Sequence, residues 1–275
     1  MLSHWSHHDQ DVNGVKIHYV RTGTGQSDKP ALVLAHGFSD GGLCWLPVAR
    51  DLEAEYDIYL PDARGHGLSQ RVEPGEQVDN AADLAGLIRA LGLKNPVVGG
   101  HSMGGNTSAT LGARFPELAK GLILEDPGWR DRPPQPPKEE QGKEAPRNPW
   151  FEWLTTLDSQ TMEQVMAKCR ADSPTWDEVE IYPWAESKKQ LDINVLKING
   201  FWMDWREQVR GIKVPALLLT GDPEKGSIVT AEGAEEAHSL NPLIKVVNIP
   251  GVGHNIRREN YLAFMQAVRS FLKSL

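Results

Sequence analysis

The stretch that decides the fold spans residues 96–116: Pro96-Val97-Val98-Gly99-Gly100-His101-Ser102-Met103-Gly104-Gly105-Asn106-Thr107-Ser108-Ala109-Thr110-Leu111-Gly112-Ala113-Arg114-Phe115-Pro116. Gly100 to Gly104 fit the pattern G-x-S-x-G. A β-branched pair, Val97-Val98, precedes it, and a run of small, helix-compatible residues follows and stops at Phe115-Pro116. Strand, sharp turn and helix form the context in which this pattern presents a serine as a nucleophile. Gly100 and Gly104 omit side chains where strand and helix backbones crowd together. A helix starting near Met103 aims its first N–H groups and positive dipole end at charge developing beside Ser102. Ser102 is therefore the expected nucleophile.

Outward from this stretch, short apolar runs alternate with amphipathic segments. Ala31 to Ala35, Asp57 to Leu60, Leu122 to Leu124, Ala216 to Thr220 and Lys245 to Ile249 suit strands covered on both faces. Residues 41–55, 78–91, 231–239 and 261–273 suit helices. Asn13-Gly14 signals a hairpin between a strand near residues 5–11 and another over residues 15–21. The pattern predicts an α/β fold: a mostly parallel sheet flanked by helices. In such sheets chemistry gathers at the carboxyl ends of strands, and His36, Ser102 and Asp126 all follow strand ends. At Pro127 the composition changes. A proline-rich, charged stretch runs to Pro149, and prolines forbid continuous helix there. Helical pieces follow, and seven of the nine tryptophans lie between residues 127 and 208. The reading is a core of residues 1–126 and 210–275, with 127–209 an inserted tryptophan-rich helical cap. Its aromatics either face a cleft or form the cap's own small core.

The 275 residues and 40% hydrophobic content suit one large domain with an insertion. A formal net charge of −8 argues against a nucleic-acid partner and denies anionic ligands long-range steering. Cys44 and Cys169 are the only cysteines, so neither a disulfide framework nor a zinc site is expected. The first residues lack a basic segment followed by an apolar core, and no apolar run approaches membrane-spanning length. The expectation is a cytoplasmic monomer or homodimer with a small-molecule substrate, no membrane or nucleic-acid partner, no metal and no cofactor. His4, His7 and His8 read as part of a disordered polar terminus.

Serine is a weak nucleophile at neutral pH and needs an adjacent base. His254 sits best for that task, in a glycine-rich turn after the last strand. His101 adjoins Ser102, but a neighbour on a tight elbow points away from it, so a packing role is expected. The oxyanion needs preorganised donors. The backbone N–H groups of Met103 and Phe38 are the candidates. A carboxylate must orient the histidine, and three compete: Asp126, Asp222 and Glu224.

With these pieces in place the chain resembles the α/β-hydrolase superfamily over nearly its whole length. The motifs that carry the resemblance are His36-Gly37-Phe38, the Asp62 to Ser69 segment, Gly100-His101-Ser102-Met103-Gly104 and Gly251-Val252-Gly253-His254. The Asp62 to Ser69 segment reads as a structural turn. The acid of most such proteins follows the strand after the cap, a few residues before an Ile-Val pair, but the loop before Ile228-Val229 is too long for that pattern. Leu124-Glu125-Asp126-Pro127 resembles instead the segment that carries the acid in N-formylmaleamate deformylases. This resemblance implies a triad of Ser102, Asp126 and His254. It also implies a serine hydrolase that cleaves esters of small to medium, partly apolar or aromatic substrates through an acyl-enzyme, with carboxylesterase as the default. A C–N hydrolase is the alternative, and a ligand receptor or lyase stands further off. Serine at position 102 argues against dehalogenase or epoxide-hydrolase chemistry, which uses aspartate there.

Overall fold

A computed structural model describes residues 4–23, 28–131 and 148–275. Most of the expected proline-rich stretch, together with residues 24–27, lies outside the described residues. Strands β1 (Ser6–Val12) and β2 (Val15–Arg21) form the expected hairpin. Asn13 (φ 52°) and Gly14 (φ 83°) supply the two positive φ angles that such a tight turn requires. Then follow β3 (Ala31–Ala35), α1 (Leu46–Leu52), β4 (Asp57–Pro61), β5 (Gln77–Val78) and α2 (Asn80–Ala90). The elbow contributes β6 (Val97–His101) and α3 (Met103–Arg114), and β7 (Gly121–Glu125) comes next. After the undescribed segment come α4 (Pro149–Leu154), α5 (Met162–Asp172), α6 (Glu178–Lys189), β8 (Asn199–Gly200) and α7 (Trp205–Gly211). The chain closes with β9 (Ala216–Thr220), α8 (Ala231–Leu240), β10 (Ile244–Asn248), α9 (Ile256–Glu259) and α10 (Tyr261–Leu272).

Eight strands make one sheet in the order β1-β2-β4-β3-β6-β7-β9-β10. β1 and β2 are antiparallel to their neighbours, and from β4 onward every pairing is parallel. The period-two alternation of side chains divides the apolar runs between two cores. Val33, Ala35, Leu122, Leu124, Ala216 and Leu218 pack on one face, with α2, α3, α7 and α8. Leu32, Leu34, Ile123, Leu217 and Leu219 pack on the other, with α1 and α10. A run read as uniformly apolar is thus two interleaved faces, each covered by helices.

Between β7 and β9, helices α4 to α6 build a cluster of their own around Leu154, Val165, Ile181 and Trp184. Trp150, Trp153 and Trp176 pack against it, and Trp153 stacks on Trp184 at 5.8 Å. Those four tryptophans fill an interior. Trp129 and Trp205 belong instead to the core of the sheet, stacked on each other at 5.9 Å, and Trp202 is exposed. The pairing of β5 with β8, which ties residues 77–78 to 199–200, has no counterpart in the sequence reading. Each partner is only two residues long, too short for a periodic signal. The N-terminal histidines also depart from expectation. His7 and His8 lie on β1, where His7 meets His18 (3.0 Å) and His8 stacks on Tyr19 (5.1 Å). Backbone pairing with β2 orders a segment whose composition alone reads as polar terminus. Among the described residues no helix is long and apolar enough to cross a membrane.

The elbow depends on close backbone approach. A Cβ on Gly104 would stand 2.2 Å from the carbonyl oxygen of Ala35, and one on Gly100 would stand 2.2 Å from the backbone of Gly104. Backbone cannot yield as a flexible side chain can. Gly104→Ala is therefore expected to cost about 2–3 kcal/mol of unfolding free energy. Gly233→Ala meets nothing closer than 3.5 Å within helix α8 and should gain about 0.5–1 kcal/mol. Urea denaturation of both variants checks the pair of signs.

Candidate active site

The carboxyl ends of β3, β6 and β7 and the loop after β10 meet at one place. Ser102 follows β6 directly, at φ 53° and ψ −114°, a strained conformation for a residue with a side chain. Its amide donates to the carbonyl of Glu125 (2.9 Å), which locks the elbow to the end of β7. Met103 is the first residue of α3, so its N–H is one of the helix's unpaired N-terminal donors. His36 to Asp40 follow β3. The amide of Asp40 donates to the Gly37 carbonyl (3.0 Å), closing a turn around Phe38 and Ser39. The Phe38 ring is held edge-on by His66 and Phe151, at 5.9 and 5.8 Å.

Asp126 is fully buried at the end of β7, with φ 40°. Nδ1–H of His254 donates to its Oδ2 at 2.6 Å. Ile228 N–H donates to the same oxygen (2.8 Å), while Ser227 Oγ–H (2.8 Å) and Val229 N–H (3.0 Å) donate to Oδ1. With Nδ1 committed as a donor, Nε2 is the ring's basic nitrogen. The two rival carboxylates lie elsewhere. Asp222 Oδ2 accepts from Gly251 N–H at 2.7 Å and so pins the loop that carries His254, and Glu224 is exposed. Ile228-Val229 lies beside Asp126 and supplies N–H donors to this carboxylate from the neighbouring strand. That relation could not be found by counting along the chain.

His101 has the expected packing role. Its Nε2–H donates to the backbone carbonyl of His254 (2.9 Å), and the two rings lie 4.6 Å apart. A Cβ at position 37 would meet His101 Nδ1 at 2.8 Å, so only glycine admits the 36–40 loop this close. Glu259 accepts from Gly253 N–H (2.7 Å) and Asn255 N–H (3.3 Å) on either side of His254. The Asp62 segment is structural, as read: Asp62 accepts from Gly42 and Leu68 N–H, and Arg64 pairs with Asp83 and Glu76. Sequence reasoning missed Gln208. It is fully buried, accepts from Trp129 Nε1–H (2.8 Å) and donates to Asn106 Oδ1 (2.9 Å), joining the loop after Asp126 to α3.

A cavity of about 240 Å³ opens beside Ser102. Met103, Arg130, Trp202, Met203, Trp205 and Ile228 are among the residues that line it. No carboxylate among the described residues pairs with Arg130. Its position within the proline-rich stretch gave no sign that it enters the site.

An α/β hydrolase fold is what this sheet order, elbow and loop arrangement define, and the family model for that fold matches residues 30–260. The chain belongs to the α/β hydrolase fold family and is a hydrolase. It is 25% identical to the 2-(acetamidomethylene)succinate hydrolase of Mesorhizobium japonicum, over 95% of this chain and 93% of that one. It is 27% identical to the N-formylmaleamate deformylase of Pseudomonas putida, over 95% and 94%. Among solved structures, an E-2-(acetamidomethylene)succinate hydrolase matches with a TM-score of 0.73 at 22% identity, covering 98% of this chain and 100% of that one. A thioesterase domain from the curacin biosynthetic pathway matches with 0.75 at 20% identity, covering 96% and 99%.

Three buried histidines behind the site are held neutral. Burial lowers His36, and it lowers His101 further with help from the nearby His254 and Arg257. Burial, with His36 nearby, moves His66 from the ordinary 6.5 to about 3. Below pH 6.5 the unfolded chain binds a proton at position 66 that the folded chain refuses. The stability this group contributes is complete above its unfolded pKa and is lost as pH falls from there toward 3. Each such histidine adds about 1.4 kcal/mol per pH unit to the slope. His66→Gln should therefore show a slope shallower by about one proton between pH 6 and pH 4 in urea titrations, and equal slopes would refute the assignment.

Proposed function

We propose that the protein is a serine hydrolase that cleaves the amide C–N bond of a small substrate bearing a carboxylate. The observation that carries this reading is the cavity at Ser102, whose lining brings an exposed arginine, Arg130, together with Trp202, Met203 and Trp205. An arginine fork matches a carboxylate in charge and shape. The two relatives that cover nearly the whole chain point the same way, one named for an acetamido succinate and the other for an N-formyl maleamate. They favour the amide reading over the carboxylic ester.

In this reading Ser102 Oγ attacks the acyl carbonyl while His254 Nε2 takes its proton. Asp126 holds the ring in the required tautomer and answers its positive charge. The N–H groups of Phe38 and Met103 receive the oxyanion. His254 then returns the proton to the departing nitrogen, and water releases the acyl group from Ser102 by the same route. Helices α4 to α6, within the 127–209 excursion, form the cap over these loops. A small-molecule substrate, no metal or cofactor, and a cytoplasmic monomer or homodimer complete the proposal.

Turnover should be measured on N-formyl and N-acetyl amides of unsaturated dicarboxylic acids, on their neutral counterparts and on p-nitrophenyl acetate. Ser102→Ala should abolish all of it, and a fluorophosphonate should label Ser102 alone. Asp126→Asn should lower kcat by about 10³–10⁴-fold, as expected when the histidine loses its tautomer partner. Arg130→Gln should lower kcat/KM on the acidic amides by about 10–100-fold, the worth of one hydrogen bond to a charged group, and should cost far less on p-nitrophenyl acetate. A uniform loss on charged and neutral substrates would remove Arg130 from substrate binding, and turnover confined to neutral esters would replace the amide reading.

A further inference from the structure

Behind the site lie six ionisable side chains that the reaction described above does not use. Asp40, Glu125, Glu180, Lys188, Arg257 and Arg258 are each at most 5% exposed. Three are acids and three are bases. Arg257 pairs with Glu125 (2.9 Å), and Arg258 reaches Glu180 and Asp40 (both 3.1 Å). The charges of Arg258, Lys188 and Arg257 outweigh the opposing effect of burial and hold Asp40 well below the usual carboxylate range. Lys188 sits in the last turn of α6, under the face of Trp184 (4.6 Å), and its ammonium spans to the loop after β3. There Nζ donates to Asp40 Oδ1 (2.7 Å) and to the backbone carbonyl of Ser39 (2.8 Å).

That carbonyl belongs to a strained residue. Ser39 is the third position of the Gly37 to Asp40 turn and has φ 61°. Positive φ at the third position is the mark of a type II turn, where glycine is the usual occupant. Serine holds it only if the surroundings over-determine the backbone. The two bonds from Lys188 supply that constraint, one on Ser39 itself and one on the next side chain.

We propose that Lys188 is a positioning residue for the oxyanion hole: from the helix above, it clamps the Ser39–Asp40 end of the turn and so keeps Phe38 N–H aimed at the reacting carbonyl. The inference rests on the reading of Phe38 N–H as an oxyanion donor. Without the clamp, Ser39 relaxes toward negative φ and the turn that presents Phe38 changes shape. None of residues 37–40 lines the cavity beside Ser102, so the loss falls on kcat and not on binding.

The test compares kcat and KM for p-nitrophenyl acetate with affinity for an aryl trifluoromethyl ketone, whose adduct with Ser102 places an oxyanion in the hole. Lys188→Met should lower kcat by about 10²-fold, the cost of one misplaced oxyanion donor. KM should stay within about threefold, and ketone affinity should fall by the same factor as kcat. Adding Ser39→Gly, which makes positive φ intrinsically favourable, should recover about tenfold of the loss; a purely structural role for Lys188 would give no such rescue. Where Lys188→Met does not fold, Lys188→Met with Asp40→Asn removes both charges and carries the same measurements. Phe38→Pro, which deletes the N–H, runs in parallel. If it costs neither kcat nor ketone affinity, the Phe38 reading falls and the Lys188 proposal falls with it. If Phe38→Pro is costly while a folded Lys188 variant keeps wild-type kcat, or loses KM alone, or is not rescued by Ser39→Gly, the Lys188 proposal is overturned and the oxyanion reading stands.

Discussion

A carboxyl group with no exposed surface sits just past the end of β7, and much of the architecture around it answers it. Asp126 has 0% exposure, so its carboxylate must be met by donors from the protein itself. Four arrive: Ser227 Oγ, the amides of Ile228 and Val229, and His254 Nδ1. Supplying them requires β9 to lie directly beside β7, with Asp126 N–H bonded to the Leu219 carbonyl, so that the loop after β9 can fold back over the end of β7. It also requires the loop after β10 to be drawn inward. Asp222, Glu259 and His101 each bind that loop's backbone and hold it there. The carboxylate that orients the histidine is thus also the point on which three strand ends converge.

This explains which parts of the site were legible in the sequence. The positions of Ser102 and His254 in the candidate site were, because each lies in a short motif whose glycines report local geometry: the crowding of Gly104 on Ala35, and of Gly253 on Lys225, where an added Cβ would stand 2.1 Å from a carbonyl. The sheet was legible because apolar strand and amphipathic helix have different periods. The carboxylate that meets His254 was not decided by the residues alone. Asp126, Asp222 and Glu224 all follow strand ends, and what separates them is a relation across strands that spacing along the chain does not encode. Only the resemblance of the Asp126-Pro127 segment to deformylases separated them. The tryptophans show a similar limit. Composition marked residues 127–209 as distinct, yet Trp184 fills an interior, Trp205 is buried in the core of the sheet and Trp202 is exposed at the cavity, because direction is set by packing partners far away in sequence.

The buried ionic cluster was invisible for the same reason in a stronger form. Asp40 and Arg258, bonded at 3.1 Å, are 218 positions apart. Nothing near either residue announces the other. Energetically, six buried charges are a poor way to stabilise a fold, since desolvation consumes most of what the pairing returns and an apolar cluster of equal volume commonly does as well. What ion pairs do better than apolar contacts is fix direction. Lys188 reaches one carbonyl and one carboxylate oxygen, and neither bond tolerates a shift of the loop by the width of an atom. In an apolar interface between α6 and the turn at residues 37–40, Ser39 would be free to settle into an unstrained conformation.

The charge of the chain bears on the substrate in a related way. A net −8 gives an approaching anion no attraction over the ~10 Å that salt leaves unscreened. If the substrate is acidic, as proposed, recognition must therefore act at contact. A single arginine at the cavity beside Ser102 suits that requirement, because its fork recognises a carboxylate only at hydrogen-bonding distance. Selectivity for acidic amides would then reside in the dissociation rate and in kcat/KM at close range, and not in the rate of encounter.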